Sequence, residues 1–405
     1  MDEIEVVVDA IAAGGDGVAR APDGRVVFVA RTAIGDRVRV RITESRRRYA
    51  RGEIVAVVEP SADRVAPACP LFGDCGGCQW QHLSAGAQAA AKQAIVASAL
   101  RRAVDAGMEL RPLQSPAPPV GWRRRARLHW VRRRRGRGAA IGWYRPRSHR
   151  VVDVAACPQL EPALAGALEA VRGVLAPGLG GTGDVSLLAG HAGDVHVAIA
   201  GPHRPAAAEA LARRPPVVGV VAGRRVWGAA DIEVEPGLRG RADRFAQASR
   251  AGNAALIAAV DAACAERPVG AALELYAGSG NLSRALAHHA RRVVAVDVAV
   301  GAPLAGVRWR KGDAAAVAGE LAAAGERFDL VVIDPPRAGA ADALDAVVAL
   351  RPARIVYASC DPATLARDLD RLSAAGYAPR WAQPIDMMPQ TAHVEVVVAI
   401  DAAPR

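Results

Sequence analysis

An α/β architecture is predicted, with a doubly wound domain at the carboxyl-terminal end preceded by a small β-barrel and a central, mainly-β unit. Three observations carry that expectation. From about Gly252 onward, short β-branched runs alternate with alanine-rich stretches of helical length, the pattern of βαβ units. Within that region Ala272–Tyr276 runs into Gly278-Ser279-Gly280 and then a helix from Arg284 to His289, the strand, tight turn and helix of a Rossmann-like domain. Residues 1–60, in contrast, hold short β-branched runs separated by glycine turns. The expected boundaries are 1–60 for the barrel, 61–250 for the central unit and 251–405 for the doubly wound domain.

In the barrel, the runs Ile4 to Val8, Val26 to Ala30, Arg37 to Ile42 and Gly52 to Val58 are separated by Gly14-Gly15-Asp16-Gly17, Pro22-Asp23-Gly24 and Ile34-Gly35-Asp36. Closure into a small barrel satisfies so many short strands, and Arg20, Arg31, Arg46, Arg47, Arg48 and Arg51 in its turns suit an accessory RNA-binding face. A linker rich in Pro and Cys (Pro60 to Cys78) leads to an alanine-rich helix from Ala85 to Ala103. After the proline-punctuated stretch Pro112 to Pro119, the central unit is expected to hold strands at Ala139 to Trp143, Val151 to Val154, Val185 to Leu188, Val195 to Ala200 and Val217 to Val221.

A chain of 405 residues has room for two or three domains. It shows no amino-terminal signal segment and no uninterrupted apolar run near 18 residues, so a soluble cytoplasmic protein with no membrane partner is expected. The net charge of +11 is concentrated. Residues 101–150 carry 15 Arg against Asp105 and Glu109, a surplus of 13 that leaves about −2 for the rest. The densest part, from Trp122 to Arg137, interleaves arginine with Trp122 and Trp130 as phosphate binders with stacking residues would, which points to RNA, although a merely solvated face has a similar composition.

The glycine turn lacks a third glycine for a pyrophosphate. Asp297 closes the next strand, where a carboxylate can hold both ribose hydroxyls, and Asp313 closes a third. That combination favours a nucleoside without phosphates, and S-adenosylmethionine fits better than a dinucleotide. Two further strand ends carry Ile333-Asp334-Pro335-Pro336-Arg337 and Tyr357-Ala358-Ser359-Cys360-Asp361. A carboxylate and a thiol delivered there can meet one substrate, making Cys360 a candidate nucleophile; the plainer reading is a small buried hydrophobe. Cys69, Cys75 and Cys78 are too tightly spaced for ordinary disulfides, and Cys157 is the best fourth thiolate. Three clustered cysteines plus a distant one is a ferredoxin-like distribution and favours [4Fe-4S]; zinc would accept the same sulfurs. Cys264, in an apolar helix, reads as core.

These residues resemble the S-adenosylmethionine-dependent RNA uridine C5-methyltransferases that carry a TRAM domain and an iron–sulfur cluster. The resemblance covers nearly the whole chain. Residues 1–60 are similar to the TRAM barrel, and Cys69, Cys75, Cys78 and Cys157 to the cluster ligands. Gln247, within Phe245-Ala246-Gln247-Ala248-Ser249, resembles a cofactor contact, as do Tyr276, Gly278, Gly280, Asn281, Asp297, Asp313 and Asp334. Asp334-Pro335-Pro336-Arg337, Ser359-Cys360 and Pro389-Gln390-Thr391-Ala392-His393-Val394-Glu395 are its most specific signatures. Departures are Ser249 for the usual Asn, Ala338 for a basic residue, and a stretch from Asp297 to Asp313 too short for the usual helix, which leaves one wall of the adenine pocket wanting.

The resemblance implies a chemistry. A thiolate from Cys360 adds at carbon 6 of uracil and makes carbon 5 nucleophilic; after methyl transfer, Glu395 removes the carbon 5 proton. The target uridine must leave its stack. The expected substrate is large-subunit (23S) ribosomal RNA before the transfer RNA T-loop, the expected state a monomer, and the cluster structural. Asp-Pro-Pro also resembles the motif of base amino-group methyltransferases, but Arg337 stands where their aromatic residue would be. An iron–sulfur RNA-binding protein without catalysis is the reading from another class.

Overall fold

The computed structural model describes residues 3–133 and 138–403. Among these residues the chain forms a closed five-stranded barrel, a six-stranded sheet, a small two-stranded sheet and an eight-stranded sheet.

The barrel uses Glu3–Ile11, Gly17–Arg20, Val26–Val29, Arg37–Ser45 and Tyr49–Glu59. Alternation places Val6, Val8, Ala19, Val27, Val29, Val38 and Val40 inside. The strand Gly17–Arg20 is absent from the sequence expectation because its first residue reads as turn. A Cβ at Gly17 would lie 2.0 Å from the Thr32 hydroxyl, so the glycine serves close packing there.

The central sheet contains a strand, Arg125–Arg132, inside the arginine-rich run. Trp122, Ala126, Leu128 and Trp130 are buried, and Arg125, Arg127, His129 and Val131 take the other face. The two tryptophans are therefore core residues rather than a stacking platform for bases, and the period-two alternation is the reason. Arg124 is buried as well, its guanidinium 2.6 Å from Glu235 and 3.1 Å from the Val234 carbonyl. Arg134, Arg135 and Arg137 lie outside the described residues. Val151 to Val154 makes no strand: it runs beside Ile141 and Trp143 through single backbone bonds.

The eight-stranded sheet runs in the order Val307–Lys311, Ala290–Asp297, Val269–Leu275, Leu330–Ile333, Arg354–Ser359, Glu395–Ala402, Tyr377–Ile385, Glu109–Leu110. The first five are mutually parallel, and Glu395–Ala402 is antiparallel to both its neighbours. Both faces are covered, Leu273, Val331, Ile355 and Val398 packing into one layer and Ala272, Val332, Val356 and Val397 into the other, which is why these strands read as continuous apolar runs. Residues 298–306 link two parallel strands without a helix, as the short spacing predicts. The predicted Ala85 to Ala103 helix is broken at Leu100 into Ala85–Ala99 and Arg101–Asp105. It packs against the helix Pro362–Ala374, and Glu109–Leu110 extends the large sheet, so residues 85–110 join the eight-stranded unit although the sequence division leaves them in the central one.

Candidate active site and cysteine centre

Four strands deliver their ends to one edge. Leu275 pairs with Ile333 and Ile333 with Tyr357, so Tyr276, Asp334 and the Ser359-Cys360 turn follow one another along the carboxyl edge. Ser359 pairs with Val396 on the antiparallel strand, so Cys360, just past the end of its strand, and Glu395, the first residue of the neighbouring one, lie at the same edge beside this last pair. The Ser359 hydroxyl donates to the Asp361 carbonyl (3.1 Å), and an Asp361 carboxylate oxygen caps Ala363 and Thr364 (both 3.0 Å). The thiol thus sits at the start of a helix whose dipole favours a thiolate.

Burial pushes the Cys360 thiol up to about 11, the nearby Glu395 and Asp334 carboxyls add to the rise, and Arg337 opposes it. Asp334 is pushed up to about 7 by burial, and Glu395 rises well above the carboxylate range through burial and then Asp334. A carboxyl with raised proton affinity is matched to taking a proton from carbon. An Arg337 nitrogen lies 3.2 Å and 3.1 Å from the two ring nitrogens of His393, which burial and then Arg337 hold near 4, so the ring is neutral.

On the glycine-turn side, Tyr276 has φ +62°, and Gly278 and Gly280 follow at +57° and +93°. Left-handed backbone at a non-glycine residue is a strain typical of ligand clamps. Asp297 accepts from the Gly278 and Ala299 amides, each at 2.9 Å. One oxygen of Asp313 caps Ala315 and Ala316 at 3.0 Å, so this acid also starts the helix Ala314–Ala323. Asn281 exchanges amide hydrogen bonds with Asn253 (2.7 and 3.0 Å). The Gln247 carbonyl accepts from Arg124 at 3.0 Å, and Ser249 caps the helix Arg250–Ala265 through the Gly252 amide, a role that serine fills as well as asparagine. Phe245 is 65% exposed, with the Arg125 guanidinium 5.6 Å from its ring centre.

Sequence reasoning missed Glu274, an acid within the apolar strand before the glycine turn. It is buried, accepts from the Ser283 hydroxyl, and is pushed up to about 8 by burial first, with Asp334 and Asp297 adding to the rise. The folded chain keeps this proton up to about pH 8, whereas an unfolded glutamate releases it near 4.5; folding takes up a proton between those values, so stability falls as pH rises through that window. Glu274→Gln keeps the Ser283 bond and removes that titration. It should melt higher than the parent protein above pH 8 and show a flatter melting profile below it; identical profiles for the two proteins would show that Glu274 ionises freely.

Cys69, Cys75, Cys78 and Cys157 line one cavity with Arg123, Trp143 and Gln159. Gly76 allows the loop to turn here, since a Cβ would lie 2.6 Å from the Tyr144 carbonyl. Burial raises the thiols of Cys75, Cys78 and Cys157, that of Cys78 to about 11. The Arg123 guanidinium lies 4.6 Å from the Trp122 ring centre, and the Gln159 side-chain NH2 is buried without a partner among the described residues. Among the described residues no three His, Cys, Asp or Glu side chains close around a single metal ion. Cys264 is buried core.

The strand order, with an antiparallel last strand inserted beside the parallel set, and an acid-rich edge over a glycine turn define a class I methyltransferase. A family model for the TRAM domain matches residues 2–55, and one for tRNA (Uracil-5-)-methyltransferase matches residues 321–403. The 23S rRNA (uracil(1939)-C(5))-methyltransferase RlmD of Cronobacter sakazakii is 32% identical over 97% of this chain and 94% of its own. The RlmD of Alkalilimnicola ehrlichii is 33% identical over 97% and 95%. An uncharacterized RNA methyltransferase of Gloeobacter violaceus is 34% identical over 98% and 96%. The crystal structure of Pyrococcus abyssi tRNA (uracil-54, C5)-methyltransferase with S-adenosyl-L-homocysteine shares the fold, with a TM-score of 0.73 over 98% of this chain and all of that one, at 20% identity. The chain belongs to the family of TRAM-containing, S-adenosylmethionine-dependent RNA (uracil-5-)-methyltransferases. No helix among the described residues is long and apolar enough to cross a membrane.

Proposed function

We propose that this protein methylates carbon 5 of a uridine in 23S ribosomal RNA through a covalent adduct with Cys360. The observation that carries the reading is the Ser359–Val396 pairing, which brings Cys360, just past the end of its strand, beside Glu395 at the start of the neighbouring antiparallel strand. Cys360 adds to carbon 6, the ring electrons move to the carbon 4 oxygen, and carbon 5 becomes the nucleophile. S-adenosylmethionine supplies the electrophilic methyl group. Glu395 then takes the carbon 5 proton, and elimination returns the Cys360 thiolate. Arg337 favours the thiolate, and the raised proton affinity of Glu395 suits the final step. Gln247, Tyr276, Gly278, Gly280, Asn281, Asp297, Asp313 and Asp334 hold the cofactor, the strained glycine turn and Asp297 placing its ribose. Incubation with RNA bearing 5-fluorouridine and the cofactor tests the reading. A stable adduct supports it; its absence favours an RNA-binding protein without catalysis. Mapping the methyluridines that disappear from the RNA of a deletion strain tests ribosomal against transfer RNA, and a loss confined to the T-loop would overturn the ribosomal assignment.

Four cysteines around one cavity fit a [4Fe-4S] cluster, with Cys69, Cys75, Cys78 and Cys157 as ligands. A guanidinium and an unpartnered amide NH2 beside four sulfurs suit an anionic tetrathiolate centre, and three clustered cysteines with one distant in the chain is the distribution that favours an iron–sulfur core over zinc. Its part in this reading is structural, tying the 69–78 loop to Cys157.

RNA is held by the outward face of Arg125–Arg132 and by the barrel. Arg125→Gln with Arg127→Gln should weaken RNA binding and flatten its salt dependence by about 0.7–0.9 log units for each phosphate no longer neutralised. Turnover of saturated enzyme should stay close to the parent's. An unchanged salt slope would mean that this face is only solvated.

A further inference from the structure

We propose that Gln390 is a positioning residue for Glu395, clamping the segment in front of that carboxylate to the cysteine-bearing loop and to the helix Ala85–Ala99. The inference rests on the reading of Glu395 as the proton acceptor and adds the device that holds it in place.

Gln390 has φ +67°, left-handed backbone at a residue that is neither glycine nor asparagine. Its polar groups are all engaged. Its amide donates to the Gln88 side-chain oxygen at 2.9 Å, and its carbonyl accepts from the amides of Gln79 (2.9 Å) and Trp80 (3.0 Å), the two residues after Cys78. Its side-chain oxygen accepts from the Gln88 NH2 at 3.0 Å, and its own NH2 donates to the Pro119 carbonyl at 3.2 Å. Gln88 is itself buried on the helix Ala85–Ala99 and also donates to the Leu83 carbonyl at 2.9 Å. So complete a set of bonds over-determines the backbone and holds it in a conformation it would otherwise leave.

The neighbouring contacts extend the clamp towards Glu395. Lys92, wholly buried one turn further along the same helix, lies 2.5 Å from Asp386 and 3.2 Å from the Met388 carbonyl. The Thr391 hydroxyl donates back to Met388 at 2.7 Å. Ala392 packs with Trp80, whose indole NH donates to the Gly15 carbonyl of the barrel at 3.0 Å. Val394 is buried in the sheet core, and Glu395 follows. Cys360 follows the end of a different strand, Arg354–Ser359, in the Ser359-Asp361 turn, and none of these bonds reaches it. Loosening Gln390 therefore misplaces the proton acceptor and leaves the nucleophile in register.

That separation gives the test a signature that general loosening lacks. Gln390→Gly adopts φ +67° without strain and keeps the backbone bonds, deleting only the side-chain ones. Gln88→Leu removes the partner amide. For both variants in the full chain, turnover should fall by about 10–100-fold, the scale of a misplacement near 1 Å. RNA affinity should stay within about twofold of the parent's, and a Cys360–RNA adduct carrying the transferred methyl should accumulate on natural substrate. Unchanged turnover overturns the proposal, and so does slower turnover without the adduct or with matching loss of RNA affinity. If the parent enzyme forms no adduct with 5-fluorouridine RNA, the covalent reading falls and takes this inference with it. If it does, and the two variants behave like the parent, only the role of Gln390 is lost.

Discussion

Cys75→Ala is expected to remove the brown colour that the proposed [4Fe-4S] cluster would give, absorbing at ~400 nm where thiolate-to-iron charge transfer falls. Cys75 shares one cavity with Cys69, Cys78 and Cys157, and burial holds its thiol protonated in the absence of a charge partner. Ligation in the proposed cluster would change that balance, since bound thiolates would face the Arg123 guanidinium. Removing one of the proposed ligands would leave three sulfurs beside the Arg123 guanidinium and would lose the cross-link that the cluster would make between the 69–78 loop and Cys157. The cost is expected to be roughly 4 kcal/mol, in the range reserved for loss of a metal centre. It is measured as a lowered midpoint in thermal or denaturant unfolding. Cys264→Ala, which removes a core thiol elsewhere, should keep the colour. Stoichiometric zinc without iron after anaerobic purification of the parent protein would sink the assignment.

The same variant bears on the catalytic edge. Gln79 and Trp80, directly after Cys78, donate to Gln390, so a loop freed from its cysteine anchors also loosens the segment before Glu395. Cys75→Ala should therefore resemble Gln390→Gly in accumulating adduct, with a loss of stability that the glycine variant does not share.

The features legible in the sequence were those written in local pattern. Buried parallel strands read as apolar runs because both faces are covered, and the tight turn after Leu275 was legible from Gly278 and Gly280, which sit where the backbone is left-handed. What stayed hidden depends on partners distant in the chain. Gln88 and Gln390 are 302 residues apart, and Lys92 and Asp386 294 apart, so no local spacing reveals either pair. The strand Arg125–Arg132 was masked by its composition. Its charge suggested an exposed segment, yet alternate residues face inwards, and Arg124 is buried because Glu235, more than a hundred residues on, neutralises it. Glu274 was lost among apolar neighbours, although an acid there is costly to bury and so marks a group with work to do. Ser249, a departure from the family motif, turned out to preserve the helix cap, which depends on a short side-chain oxygen rather than on an amide.

Cys360→Ala and Glu395→Gln should fail at different steps, and their difference is the sharpest test of the site. Without the Cys360 sulfur no bond forms at carbon 6, carbon 5 stays a poor nucleophile, and methyl transfer should fall by at least about 10⁴-fold. No adduct should appear even on fluorinated RNA. Glu395→Gln keeps the shape of the side chain but cannot accept the carbon 5 proton. Addition and methylation proceed, since Cys360 and Arg337 are untouched, and the neutral amide cannot oppose the thiolate as an ionised Glu395 does. The reaction then halts with the sulfur on carbon 6 and both the new methyl and the old proton on carbon 5. Natural RNA should accumulate as a protein-bound species that migrates slowly on denaturing gels and carries the labelled methyl group. A Cys360→Ala protein that still methylates RNA, or a Glu395→Gln protein that turns over at the parent rate without trapping it, would show that the two residues facing each other at this edge do not share the reaction in the way their placement implies.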